Sequence, residues 1–199
     1  MGELTQRQVR PPSDPREPAR GLQVVGVLAA LCYAVGRVAT LGPGHEKLTG
    51  VMGVLVTLFT LIGLLLTAVW VRRAWANAEA LAPGVQRFGS GWALAGMLIP
   101  GLNLVLRWPI ALGLWRAGGV RGGAGLVHAW AGAGVAFTVA HLATTGSHLG
   151  APVCTAVAIG LAHSVLGVLV IERITRRQVE ALEFPPAWPD VPAREPVSP

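Results

Sequence analysis

The feature that most restricts this sequence is a stretch without any charge, residues 51–71, which reads VMGVLVTLFTLIGLLLTAVWV. A helix needs roughly twenty apolar residues to cross the hydrocarbon layer of a bilayer. Three further stretches come close to this length and apolarity: residues 21–41, 126–144 and 151–171. The sequence therefore predicts an all-α integral membrane protein with four transmembrane helices.

The composition agrees with a membrane protein and argues against a soluble enzyme. Hydrophobic residues make up 52% of the chain and charged residues only 13%, whereas a soluble domain carries about 25% charged residues. The net charge of +6 does not indicate a nucleic-acid-binding protein, because the cations lie beside apolar stretches and not on a soluble core. We expect the lipid bilayer to be the principal partner, with no nucleic acid bound.

The positive charges fall mostly on one side of a four-helix arrangement. Fourteen of the 16 Lys and Arg residues precede the first stretch, lie between the second and third, or follow the fourth. Only Lys47 lies on the other side, with Arg37 inside the first stretch near its far end. Because cytoplasmic loops are enriched in Lys and Arg, we expect a multi-pass membrane protein with both termini cytoplasmic.

The two ends of the chain differ from the membrane domain, which we place at residues 21–183. Residues 1–20 and 184–199 are rich in proline and charge and lack an apolar period, so both are predicted to be disordered. The last membrane helix is expected to continue into water until Pro185 and Pro186 stop it, because proline removes a backbone donor.

Between the second and third stretches, residues 92–115 form a segment that could span the membrane, enter it partly or lie on its surface. Its apolar part, WALAGMLIPGLNLVL, contains Pro100 and Asn103 and is shorter than the roughly 17 residues that crossing requires. A fifth span would also move the C-terminal arginines to the opposite side of the membrane. We therefore predict a re-entrant or interfacial helical segment, with a broken full span as the alternative.

Two asparagines and two rows of small residues suggest how the segments pack. An unpaired amide in lipid is costly, so Asn103 is expected to cap the helix break, and Asn77 to cap a helix end or bridge two segments. Small residues recur at every fourth position of the last two stretches: Gly132, Ala136, Ala140 and Thr144, then Ala156, Gly160 and Ser164. Such rows allow close approach of two helices, which predicts a tight hairpin.

Three places in the chain carry a family resemblance. They are WVRRAWANA at residues 70–78, GWALAGMLIPGLNL at residues 91–104 with RWP and LWRA soon after, and ITRRQ at residues 174–178. Together they resemble the actinobacterial membrane proteins grouped as domain of unknown function 4328, over residues 22–182. The resemblance implies a bacterial multi-pass membrane protein. It supplies no catalytic or ligand-binding residue.

The chain departs from that family's usual pattern, in which GWxxxWW precedes the proline and PxxNLWRP includes it. Met97 and Leu98 stand where the paired aromatic residues would be, and Trp108 separates Arg107 from Pro109. The alignment after Asn103 therefore shifts by a residue.

Known catalytic patterns are missing from the sequence. There is no P-loop, no HExxH, no pair of carboxylates and no CxxC, so we predict no enzyme activity, no catalytic residue, no cofactor and no metal. The leading hypothesis is a non-enzymatic scaffold or regulatory protein that recruits a cytoplasmic partner or a second copy of itself through residues 92–115 and the proline-rich ends.

Two alternatives to a scaffold rest on polar residues. A small transporter or channel would use a polar site near Asn77, Asn103 and Arg107, because broken helices with polar residues at membrane depth form such sites. A haem- or quinone-binding protein would use His141 and His163, although histidines hydrogen-bonded between helices explain these residues more simply. The candidate functional or structural positions are Trp70, Arg73, Asn77, Trp92, Pro100, Asn103 and Arg107.

Overall fold

The computed structural model of the chain describes residues 13–99, 101–119, 123–146 and 149–183. Within those ranges the chain is helical and contains no strand. The elements are α1 (Arg16–Ala39), α2 (Glu46–Leu81), α3 (Ser90–Leu98), α4 (Leu102–Ala117), α5 (Gly125–Ala143) and α6 (Gly150–Glu183). Four of these, α1, α2, α5 and α6, are long and apolar enough to cross a membrane. The predicted all-α class with four candidate spans is confirmed.

The two ends of the four-span bundle differ in charge. We call the end at which α1 and α5 begin and α2 and α6 finish the basic end, because Arg16, Arg73 and Arg177 lie there. The other end holds the turn from α1 to α2 and the connection from α5 to α6, and we call it the short-loop end. Helices α3 and α4 connect α2 to α5, so they belong to the basic end.

The helix α1 begins at Arg16, inside the arm that was predicted to be disordered through residue 20. That prediction is wrong for the last part of the arm. The carboxylate of Asp14 accepts a hydrogen bond from the backbone N–H of Arg16 at 2.9 Å, and Pro18 lies in the first turn, where proline is tolerated. The disorder predicted for residues 1–12 and 184–199 concerns residues outside the described ranges.

Both α2 and α6 continue past their apolar stretches at the basic end. The predicted extension of α6 is confirmed as far as Glu183, and Pro185 and Pro186 lie outside the described residues. The extension of α2 to Leu81 was not predicted. Its sequence, RRAWANAEAL, contains four alanines, and alanine is the strongest helix former.

The helices are arranged around a central space. Helix α1 packs against α2 and α6, and α6 packs against α5. Helices α3 and α4 pack against each other as a hairpin, and this α3–α4 hairpin contacts both α2 and α5. The order around the centre is therefore α2, α1, α6, α5 and then the α3–α4 hairpin, which returns to α2.

The hairpin turns sharply between α3 and α4. Ile99 is extended and Gly101 has a φ of 88°, which favours glycine; Pro100 lies outside the described residues. The side-chain Nδ2 of Asn103 donates to the carbonyl oxygen of Met97 at 3.2 Å, so the predicted cap at the helix break is confirmed. A Cβ at Gly96 would lie 2.6 Å from atoms of Leu106, which shows how closely the two helices approach.

Most of the best-buried side chains lie at the basic end. Trp70 is 2% exposed and its Nε1 donates to Oγ1 of Thr175 at 3.0 Å. Gln178 is fully buried and its Nε2 donates to the backbone carbonyl of Ala74 at 3.0 Å. These two hydrogen bonds join α2 to α6 beside the hairpin, whose Trp115 is also buried.

The predicted packing of small residues is right for α6 and wrong for α5. Ala156 and Gly160 of α6 are buried, and a Cβ at Gly160 would lie 2.8 Å from the ring of Phe137 on α5. On α5, however, Gly132 and Ala136 are exposed, and the buried small residue is Gly134. A four-residue repeat identifies a helix face but does not say whether lipid or protein covers it.

We predict that replacing Thr175 with valine destabilises the protein by about 1–3 kcal/mol, because the buried Nε1 of Trp70 loses its acceptor. The measurement is thermal or denaturant unfolding of the purified protein in detergent. Thr155→Val is the control, since this exposed residue of the same helix bonds only to the carbonyl of Ala151. Equal stability of the two variants would contradict the prediction.

Candidate functional site

A cavity of about 430 Å³ lies in the centre of the bundle and is lined by residues from all six helices. On α2 its lining extends from Val56 to Trp70, a separation of fourteen residue steps that corresponds to about 21 Å along the helix axis. The lining is mostly apolar. Its nitrogen-bearing polar side chains are Gln23, Trp70, Asn103, Arg107, Trp130 and His163.

Arg107 projects from α4 into this space and is held there by two aromatic rings. Its Nη1 lies 3.4 Å from Nε2 of His163. Its guanidinium carbon lies over the ring of Trp130, 4.5 Å from the ring centroid. Trp130 and His163 are themselves stacked, with their planes 7° apart. A cation over a desolvated tryptophan face is stabilised by about 2 kcal/mol or more.

Room for this guanidinium depends on a glycine of α5. A Cβ on Gly134 would overlap the Nη2 atom of Arg107, so any larger residue would displace the arginine. Gly134 is the central residue of α5 (Gly125–Ala143). Because α5 is one of the candidate spans, the guanidinium lies near the middle depth of the bundle.

The depth of Arg107 bears on the placement of residues 92–115. A segment lying on the membrane surface would not bring a side chain of α4 to the centre of α5. The tip of the hairpin carries exposed apolar residues, with Val105 70% exposed, which suits contact with lipid. Of the two predicted arrangements, the re-entrant one agrees with these contacts.

No carboxylate neutralises Arg107 within the described part of the chain. The ion pairs found there involve Arg16, Arg20 and Arg176, all of them at the exposed basic end. Arginine does not lose its proton in proteins, and an arginine at the centre of a membrane helix costs on the order of 2.5–3.5 kcal/mol on insertion scales. The cavity therefore contains a positive charge without a protein counter-ion among the described residues.

The two histidines proposed for haem do not face a common empty site. His141 Nδ1 lies 3.1 Å from the hydroxyl of Tyr33, which agrees with the simpler interpretation of a histidine bonded between helices. The ring of Phe137 stacks on both His141 and His163, at centroid distances of 5.9 and 6.3 Å. Histidine binds iron through a nitrogen in the plane of its ring, but Nδ1 of His141 faces Tyr33 and Nε2 of His163 faces Arg107. Within the described residues, no group of three or more His, Cys, Asp or Glu side chains is arranged to hold a metal.

The predicted site residues separate into two groups. Trp70, Asn103 and Arg107 line the cavity. Arg73 and Asn77 lie beyond it on the extension of α2, where they hold the start of the described chain. Asn77 exchanges two hydrogen bonds with the backbone of Ser13, at 2.9 and 3.0 Å.

This second group bridges two segments, as predicted for Asn77, but it does not belong to the polar site proposed around Asn103 and Arg107. Arg73 Nη1 donates to the carbonyl of Asp14 at 2.7 Å. Trp92 is 60% exposed on α3, and Pro100 lies outside the described residues.

Sequence reasoning missed the residues that surround Arg107. Neither Trp130 nor Gly134 was singled out, and Tyr33 was not connected with His141. One signal was available, because Trp130 is the only tryptophan within the third and fourth apolar stretches. The role of Gly134 could not be read from the sequence, since it depends on which side of α5 faces the α3–α4 hairpin.

The site and the hairpin fall within a recognised family. The family model described as Domain of unknown function (DUF4328) matches residues 44–176, about two-thirds of the chain. The chain belongs to this family. In this DUF4328 protein the match begins in the turn before α2, includes the whole α3–α4 hairpin and ends within α6. No match was found among proteins of curated function or among solved structures.

We predict that Gly134→Ala lowers the stability of the protein, by about 1–3 kcal/mol as is typical for overpacking, because the new methyl group displaces Arg107 from Trp130. Gly132→Ala, two residues earlier on α5, is the matched control, since a Cβ there meets nothing within 4 Å. Unfolding in detergent measures both. If Gly134→Ala is as stable as Gly132→Ala, the packing of Arg107 against α5 is not as described.

Proposed function

We propose that this DUF4328 protein is a non-enzymatic, multi-pass protein of the bacterial cell membrane that binds a small anion beside Arg107. This proposal develops the transporter alternative and moves its polar site to Asn103, Arg107 and His163, without Asn77. The observation that supports it is the position of Arg107, a permanent cation at the centre of the bundle that faces a cavity.

The energetic argument starts from the cost of an uncompensated charge. The guanidinium contacts the ring face of Trp130 and a ring nitrogen of His163. These contacts stabilise the guanidinium but do not neutralise its positive charge. A bound anion would neutralise it, and in a site of low dielectric such a pairing is strong when hydrogen bonds accompany it. Ionisable residues inside membrane bundles commonly mark the path or site of a ligand.

A scaffold function remains the second proposal and has its own support. Arg16 Nη2 lies 2.9 Å from Oε1 of Glu183, so the first and last described helices are paired at the basic end. The described chain therefore begins and ends at the same end of the bundle, and the proline-rich sequences adjoin these two places. A cytoplasmic partner or a second copy of the chain that recognises such segments would find both at one place.

The proposed orientation places the basic end in the cytoplasm. Support comes from the distribution of Lys and Arg residues. Among the described residues of these two types, only Lys47 and Arg37 lie at the short-loop end. The free cysteines, Cys32 and Cys154, are replaced by alanine before single cysteines are introduced for labelling.

With a membrane-impermeant maleimide, His45→Cys at the short-loop end should react in intact cells, and Val85→Cys at the basic end only after permeabilisation. Both positions are exposed. Val105→Cys at the hairpin tip should resist the reagent in both conditions, because a thiol in lipid does not form the reactive thiolate. Labelling of Val85→Cys in intact cells would show the opposite orientation, and labelling of Val105→Cys from water would contradict the re-entrant hairpin.

For anion binding, we expect sodium acetate, nitrate or chloride to raise the melting temperature of the purified protein at constant ionic strength. Ligand at a hundredfold excess over its Kd stabilises by about 2.7 kcal/mol, which corresponds to several degrees. Arg107→Gln should abolish the effect because the charge that attracts the anion is gone.

The matched control for that experiment is Arg116→Gln, which removes an exposed arginine at the far end of the same helix. It should keep the shift of the unmodified protein. The proposal fails if no anion of the set stabilises the protein, or if the two variants respond alike.

A further inference from the structure

We infer that the anion bound at Arg107 is the carboxylate of a single-chain amphiphile that enters the cavity sideways from the lipid, between α2 and α5. This inference rests on the proposed function, since it names the ligand class of the same site. Three observations lead to it: where the bundle is open, where it is closed, and what lines the cavity.

The described helices leave an opening between α2 and α5. Among the described residues, no Cα of α2 lies within 8 Å of a Cα of α5. The α3–α4 hairpin separates these two spans, but the 16 residues of α4 rise only about 24 Å from Gly118, which lies beside Arg177, so the tip reaches about the middle of the bundle. Toward the short-loop end, α2 and α5 therefore face each other without an intervening helix. Thr60 of α2 lines the cavity and is nevertheless exposed, as expected beside such an opening.

The routes along the membrane normal are bridged by side chains. Toward the short-loop end, Tyr33 joins His141 at 3.1 Å, and Nη2 of Arg37 donates to the carbonyl of Thr144 at 2.8 Å. Both contacts connect α1 to α5. At the basic end, Trp70 is bonded to Thr175 across the bundle. A ligand from water would have to break these contacts, whereas a ligand dissolved in the lipid reaches the side opening directly.

The lining specifies the chemistry of the ligand. Arg107 is the only Lys or Arg among the cavity-lining residues of the described chain, so a single negative charge is matched and a doubly charged phosphate is not. A carboxylate can accept two parallel hydrogen bonds from a guanidinium. The rest of the cavity toward the opening is mostly apolar or aromatic, including Val56 and Phe137, and Thr60 lies at the opening itself.

The size of the cavity limits the ligand to one chain. The volume of about 430 Å³ extends over about 21 Å along α2, so the space is much longer than it is wide. Carbon atoms that are not bonded approach no closer than about 3.5–4.0 Å, and two chains side by side would need roughly twice the width of one. A long-chain fatty acid has the required head and shape, and a two-chain phospholipid does not.

The test uses the full chain in lipid nanodiscs and a hexadecanoic acid that carries a photoreactive diazirine on its chain. We expect the acid to label residues of the cavity wall, mapped by mass spectrometry, and its methyl ester to label them at least tenfold less. Arg107→Gln should reduce labelling by the acid to the level of the ester. Excess unlabelled hexadecanoic acid should displace the probe more effectively than excess phosphatidylglycerol.

A second pair of variants tests whether the chain of the acid lies in the apolar part of the cavity. Val56→Trp fills the apolar part of the cavity and should remove labelling by the acid while the acetate-induced rise in melting temperature persists, which also shows that the variant is folded. Val54→Trp is the matched control, because Val54 is 69% exposed on the opposite side of the same turn of α2. It should be labelled like the unmodified protein.

The outcomes separate the inference from the proposed function. If acetate stabilises the protein but the acid labels the unmodified chain, Arg107→Gln and Val56→Trp equally, the ligand is a small anion and the inference is overturned. The same holds if the methyl ester labels as well as the acid, or if phosphatidylglycerol is the better competitor. If neither acetate nor the acid binds, the proposed function fails as well.

Discussion

Lipid surrounds an apolar side chain about as favourably as another helix does, so helices in a membrane associate through polar contacts and close backbone approach. In this protein such contacts concentrate at the basic end. Trp70 and Gln178 hold α2 and α6 together, and Arg177 lies over the ring of Trp115 in the hairpin. The extensions of α2 and α6 pass beyond the apolar stretches, where water is present and the hydrophobic effect adds to the packing. The rest of the bundle is anchored at this end.

That anchoring explains how the protein can have both a packed core and an open side. The α3–α4 hairpin is fixed at the basic end and reaches only the middle of the bundle. It therefore fills the gap between α2 and α5 over only about half the length of these spans. Arg107 lies close to the depth at which the wall ends. The guanidinium therefore packs against aromatic rings and faces the opening between α2 and α5.

The sequence predicts much of this fold because the responsible signals are local. A charge-free stretch of membrane length identifies a span wherever it occurs, and an asparagine just after a Pro-Gly break is a capping residue, as Asn103 proves to be. The unsuccessful predictions concern relations between segments. Gly132 belongs to a regular row of small residues, yet Gly134 is the residue in contact, because the neighbour of α5 is set by the tertiary arrangement. Likewise, the sequence suggests that Asn77 and Arg107 belong to one polar site. In the structure, however, α2 extends beyond the cavity, and Asn77 is hydrogen-bonded to Ser13.

The central position of Gly134, and so of the Arg107 guanidinium, has an electrical consequence. Moving a unit charge across the whole membrane against a potential of 100 mV requires about 2.3 kcal/mol. A negative charge that stops beside Arg107 crosses roughly half of that drop, which corresponds to about 1 kcal/mol for each 100 mV. The sign depends on the side from which the charge starts. The proposed binding of an anion beside Arg107 would thus be coupled to the membrane potential.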